Sequence, residues 1–117
     1  MIYVIDDDAV MGNLIAKACG NSNEVRVFTN GIEAMGAISG GELPKLIFLD
    51  VLLDGPDGFT FLNELVSYSD TAQIPIVVVT SLDMVGKDLS AYGVVGILSK
   101  EIMRPEEVRE YVERYTN

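Results

Sequence analysis

The chain has no histidine, and only one cysteine, Cys19, in 117 residues. Without histidine there is no Ser-His-Asp triad, no imidazole general base and no His-ligated zinc. A single cysteine cannot close an internal disulfide, which fits a reducing compartment and predicts a cytoplasmic protein. Positive charge is also scarce: 8 Lys and Arg stand against 18 Asp and Glu, for a formal charge of -10 at pH 7. Phosphate contacts need a basic footprint, so nucleic acid and anionic membrane surfaces are excluded as main partners. Long apolar runs are missing too. Stretches such as Ile76 to Val79 fall far short of a membrane span, and the apolar run after Met1 is too short for a signal peptide, so membrane insertion is not expected.

What remains is a composition of 49% hydrophobic and 22% charged residues, that of an ordinary globular chain. Its length predicts one domain over residues 1–117, able to bury roughly two thirds of its unfolded surface without metal or disulfide staples. Short β-branched runs at Ile2 to Ile5, Val25 to Phe28, Leu46 to Leu49, Ile76 to Val79 and Val94 to Leu98 read as five strands. Between them apolar residues recur at helical spacing, as in Val10, Met11, Leu14, Ile15, Ala18 and Cys19, and in Phe61, Leu62, Leu65 and Val66. A short fourth helix is expected around Val85 to Tyr92, and a last one opens at Pro105 with Glu106 and Glu107 in its first turn. Strict alternation of strand and helix predicts a doubly wound α/β fold, a five-stranded parallel sheet with helices on both faces.

In such a sheet, ligands bind beyond the carboxyl ends of the strands. Asp6, Asp7 and Asp8 follow the first strand, Asp50 the third, Thr80 and Ser81 the fourth, and Ser99 and Lys100 the fifth. If they converge, Asp6, Asp7 and Asp50 repel one another unless a divalent cation sits among them, and an all-oxygen carboxylate site suits Mg2+. With a lysine and a hydroxyl added, the set is an inventory for handling a phosphoryl group, with a carboxylate as nucleophile.

The acidic cluster in Val4-Ile5-Asp6-Asp7-Asp8, the strand ending in Leu49-Asp50, the Asp57-Gly58 pair, the strand ending in Val79-Thr80-Ser81, and Ser99-Lys100 stand in order at suitable separations. Together they make the chain resemble, over essentially its whole length, the receiver domains of response regulators in bacterial two-component signalling. The resemblance implies the flavodoxin-like strand order 2-1-3-4-5 and makes Asp50 the phosphoacceptor. Asp7, Asp50 and the Leu52 carbonyl would bind magnesium, and Asp6 would assist through water. Thr80 would bond the phosphoryl oxygen and Lys100 would hold the active-site charge. The implied partners are a sensor histidine kinase or histidine phosphotransfer protein as donor, and a downstream effector protein. Such a chain is no enzyme beyond its own phosphorylation and dephosphorylation, and no output domain is expected within it.

Several residues have simpler roles. Asp8 is the natural N-cap of the first helix, Asp54 and Asp57 suit turn formation and capping of the third, and Cys19 lies on an apolar stripe as a small core residue. The sequence also departs from the family pattern. Glu101 follows Lys100 where receivers usually carry proline, which predicts a trans bond and a different loop before the last helix. Ile97 stands where the family places a Tyr or Phe that rotates with the threonine, so output through the last-helix face is altered. Leu52 and Leu82, each two residues past Asp50 and Thr80, would fail to orient an attacking water and favour a long-lived phosphoryl-aspartate. Glu101 and Ile97 motivate the alternative of a degenerate receiver that binds a protein without phosphorylation. A phosphatase of the haloacid dehalogenase type lacks its second Asp in Asp50-Val51-Leu52, and an FMN carrier would not place three aspartates against a phosphate.

Overall fold

A computed structural model describes residues 1–50, 57–81 and 89–116. Along them run β1 (Ile2–Ile5), α1 (Ala9–Ala18), β2 (Val25–Phe28), α2 (Gly31–Ser39), β3 (Leu46–Leu49), α3 (Asp57–Val66), β4 (Ile76–Thr80), a 3-10 turn (Ser90–Tyr92), β5 (Val94–Ser99) and α4 (Pro105–Thr116). The strands form one parallel sheet in the order β2-β1-β3-β4-β5. β1, β3 and β4 are buried along their whole length, which is why they read as unbroken apolar runs rather than alternating ones.

Period-two alternation divides the interior into two cores. Tyr3, Ile5, Ile47, Leu49 and Val78 face α2 and α3, meeting Ala34, Ile38, Phe61, Leu62 and Leu65. Ile2, Val4, Phe48, Val77 and Val79 face α1 and α4, meeting Ile15, Cys19, Val108 and Val112. The apolar stripe read on α1 is wider than the face it buries. Ile15 and Cys19 are in the core, whereas Val10 is 70% and Leu14 55% exposed.

Helix ends are set by local chemistry. The Asp8 carboxylate accepts from the N–H groups of Val10 (3.0 Å) and Met11 (3.2 Å), the cap expected of it. Asn30 caps α2 by accepting from the Glu33 N–H at 2.8 Å. The Glu107 carboxylate reaches back to the Arg104 N–H at 2.8 Å, half of a capping box at the start of α4. Gly12 lets α1 lie against β2, since a Cβ there would stand 2.9 Å from Val27 Cγ1.

β4 and β5 each run one residue past the apolar segment, because Thr80 and Ser99 pair with each other as the last rung of the ladder. An irregularity between Ile76 and Val77 leaves Val95 as an extra residue on the edge strand β5. Of the short helix expected over Val85 to Tyr92, residues 85–88 lie outside the described ones. Ser90–Tyr92 forms a 3-10 turn stopped by Gly93 in the left-handed region at φ 80°. No helix among the described residues is long and apolar enough to cross a membrane.

Candidate functional site

Sheet register assembles the site. Ile5 pairs with Leu49, so the next residues, Asp6 and Asp50, leave the sheet side by side at its carboxyl edge. Their backbones are held there: the Asp50 N–H donates to the Ile5 carbonyl and the Asp6 N–H to the Phe28 carbonyl, both at 3.0 Å. Thr80, fully buried, ends β4 one residue beyond the level of Asp50, and its carbonyl accepts from the Lys100 N–H at 3.0 Å. That bond fixes where the Lys100 side chain starts.

The Lys100 ammonium then reaches across the edge to both carboxylates, 2.8 Å from Asp50 Oδ2 and 3.0 Å from Asp6 Oδ2. It donates a hydrogen bond to Asp50, and Asp6 Oδ1 accepts from the Asp8 N–H at 2.9 Å. Asp6 Oδ2 is buried, and among the described residues the Lys100 ammonium is its polar contact. Burial pushes the Asp6 carboxyl above its ordinary range, and the Asp50 charge adds to the rise; the Asp8 N–H and Lys100 oppose it without cancelling it. Burial pulls the Lys100 ammonium down, but its hydrogen bonds to the two carboxylates and their charges outweigh this and raise it.

Asp7 is exposed, yet one carboxylate oxygen from each of Asp6, Asp7 and Asp50 lies within 4.8 Å of the others. Oxygens around one magnesium ion, at about 2.1 Å each, stand roughly 3 to 4.2 Å apart, so small side-chain rotations bring this set to that spacing. Three carboxylates against one ammonium leave two negative charges among these four side chains. That excess is what a divalent cation would neutralise, and the all-oxygen donor set fits a hard one.

The structure thus brings together Asp6, Asp7, Asp50 and Lys100, with Thr80 at the neighbouring strand end; Leu52, Leu82 and Asp54 lie outside the described residues. The Lys100–Glu101 bond is trans, as expected. The loop after it closes on the Ser99 carbonyl, which accepts from the N–H groups of Ile102 (3.3 Å) and Met103 (2.8 Å). Ser99 Oγ in turn donates to Glu101 Oε2 at 2.9 Å, a clip that residue types alone did not reveal. Also missed is an apolar rim beside the acidic cluster, with Ile102 78% exposed as well as Val10 and Leu14. Its signal in the sequence is the breadth of the α1 stripe, which is too wide for one buried face.

A doubly wound α/β protein whose sheet edge gathers acidic oxygens around one lysine is of the class that binds its ligands at the carboxyl ends of its strands. Within that class the chain belongs to the response regulator receiver domain family, whose model matches residues 2–113. It is 39% identical over 83 residues to the response regulator PleD of Caulobacter vibrioides, covering 70% of this chain and 18% of PleD. The chain therefore spans about a fifth of that relative's length. Among solved structures, the receiver domain of NtrX from Brucella abortus superposes with TM-score 0.83 at 25% identity, covering 98% of this chain and 97% of that one. The phosphorylated cyanobacterial phytochrome response regulator RcpA superposes with TM-score 0.73 at 25% identity, covering 97% and 88%.

Proposed function

We propose that this receiver is a phosphorylation switch in which Asp50 accepts a phosphoryl group from the phosphohistidine of a sensor kinase or histidine phosphotransfer protein. The observation that carries the reading is the convergence of buried Asp6 and Asp50 on one Lys100 ammonium, with Asp7 beside them. An Asp50 carboxylate oxygen attacks phosphorus; the new O–P bond forms as the N–P bond breaks, and the imidazole departs carrying a proton. Asp6, Asp7, Asp50 and the Leu52 carbonyl would hold magnesium, which when bound supplies positive charge to the phosphoryl oxygens. Lys100 keeps compensating charge at the pocket, and the Thr80 hydroxyl bonds a phosphoryl oxygen. RcpA, crystallised in phosphorylated form, supports the reading by its similarity. The exposed Val10, Leu14 and Ile102 give a donor protein an apolar landing beside the pocket. The changed state is read by an effector protein.

The test is intact mass after incubation with acetyl phosphate and magnesium, with and without chelator, beside Asp50→Asn. A metal-dependent gain of one phosphoryl group, lost in the variant, is expected. No gain in a folded protein would refute the switch and leave the second reading, a phosphorylation-independent binding module. That reading draws on Lys100 already bridging the two buried carboxylates, so that the pocket is partly neutralised without any ligand.

A further inference from the structure

We propose that the groove between α2 and α3 is a docking site for a basic, apolar-faced helix of a partner protein. It lies on the sheet face opposite α1 and α4, and the proposal does not rest on phosphorylation of Asp50.

Three observations carry it. The groove is apolar and open: a depression of about 340 Å3 lined by Ile32, Met35 and Phe61 continues, through Met35 and Ser39, into one of about 520 Å3 lined by Leu43 and Tyr68. Ile32 is 80% exposed and Tyr68 63%, so large apolar surface stands in water along its length. Its charged lining among the described residues is acidic only, with Glu64 in the first depression and Asp70 in the second, and no Lys or Arg in either.

The third observation is Gly36, an exposed glycine inside α2 that lines the groove. Glycine there costs helix stability relative to alanine. At Gly12 a neighbour accounts for the missing side chain, since a Cβ would stand 2.9 Å from Val27 Cγ1; at Gly36 it would meet nothing within 4 Å. None of the described residues uses the space that Gly36 leaves, and a bare backbone beside an apolar groove is what lets a second helix approach closely.

Charge selects the occupant. A second copy would bring a chain of formal charge -10 against another and set Glu64 and Asp70 against the same residues. A cationic helix meets the acidic lining instead. The 9 residues of α2 extend about 14 Å, which matches anchors at i, i+3 or i+4, and i+7 on the incoming helix.

The experiment titrates the 15N-labelled chain with a synthetic helix of about four turns, leucine on one face and lysine elsewhere, and separately with the same leucine pattern on glutamate. Amide shifts confined to Gly31–Ser39 and Thr60–Tyr68, seen with the lysine helix alone, are expected. Gly36→Leu fills open space, should fold at least as well as the parent, and should weaken binding at least tenfold. Glu64→Lys should weaken it about fivefold. Absence of binding, shifts centred on Asp6 to Leu14, or equal affinity for Gly36→Leu would overturn the proposal. Concentration-dependent shifts of the same helices without peptide would overturn it in favour of a second copy.

Discussion

Replacing Lys100 with methionine keeps most of the side chain's volume and removes the cation shared by Asp6 and Asp50. Both carboxylates are almost fully buried and the lysine side chain is only 16% exposed, so water does little to screen the loss. Breaking a buried pair by removing one partner costs about 3 to 5 kcal/mol. For a chain of 117 residues the unfolding entropy is about 0.25 kcal/mol per kelvin, so the midpoint should fall by about 12 to 20 °C at pH 7 without divalent metal. Thermal unfolding followed by circular dichroism measures this. Two controls separate electrostatics from packing. Lys100→Met with Asp50→Asn should recover much of the loss, because one charge then stays where two repelled. Lowering the pH should also narrow the gap. The Asp6 carboxyl is already raised above its ordinary 3.8, and losing the ammonium raises it further, so the folded variant takes up a proton before the unfolded chain does. Its stability therefore rises, relative to the parent, as pH falls through that folded value. In the parent, Lys100 is itself raised above 10.5, so its contribution is complete below that pH and is lost as pH climbs through the higher folded value. A midpoint drop of under about 4 °C, with no change in the gap between pH 7 and pH 5, would show that the ion pairs are solvated and the reasoning wrong.

Gly12→Ala should destabilise by about 1 to 3 kcal/mol in urea unfolding, because its methyl would stand 2.9 Å from Val27 Cγ1 and α1 would have to lift from β2. Cys19 is buried and its thiol is pushed up to about 12, so iodoacetamide at pH 8 should leave the folded chain unmodified and label it once urea unfolds it. Leu52→Asn or Leu82→Asn should shorten the lifetime of the phosphorylated chain, timed by phosphate release; an unchanged lifetime would sink the role assigned to apolar side chains at those positions.

The central strands were legible to the residue because β1 and β3 are buried on both faces and nothing polar interrupts them. The outer limits of β4 and β5 were not, since Thr80 and Ser99 are polar residues kept in the ladder by pairing with each other, a non-local fact. Asp8 and Pro105 marked helix starts because capping chemistry is local. The stripe on α1 was misleading for the opposite reason: periodicity records which residues are apolar, not which are covered, and Val10 and Leu14 are both apolar and exposed. The order of Asp6, Asp7, Asp50, Thr80 and Lys100 indicated one rim. That a single lysine would lie within 3.0 Å of two carboxylates depends on strand register and on the loop closed over Ser99, neither of which any local pattern encodes.

β5 lies at the edge of the sheet, with Val95 and Ile97 partly in water and only β4 as its hydrogen-bonded neighbour. Lys100, the residue that follows it, passes beyond β4 to grip the ends of β3 and β1. The lysine is therefore a clasp across the top of the sheet, and the outermost strand is fastened to the middle of the molecule by charge as well as by its ladder. Drawing the ammonium off either carboxylate would remove that tie and leave the outermost strand held by its ladder to β4.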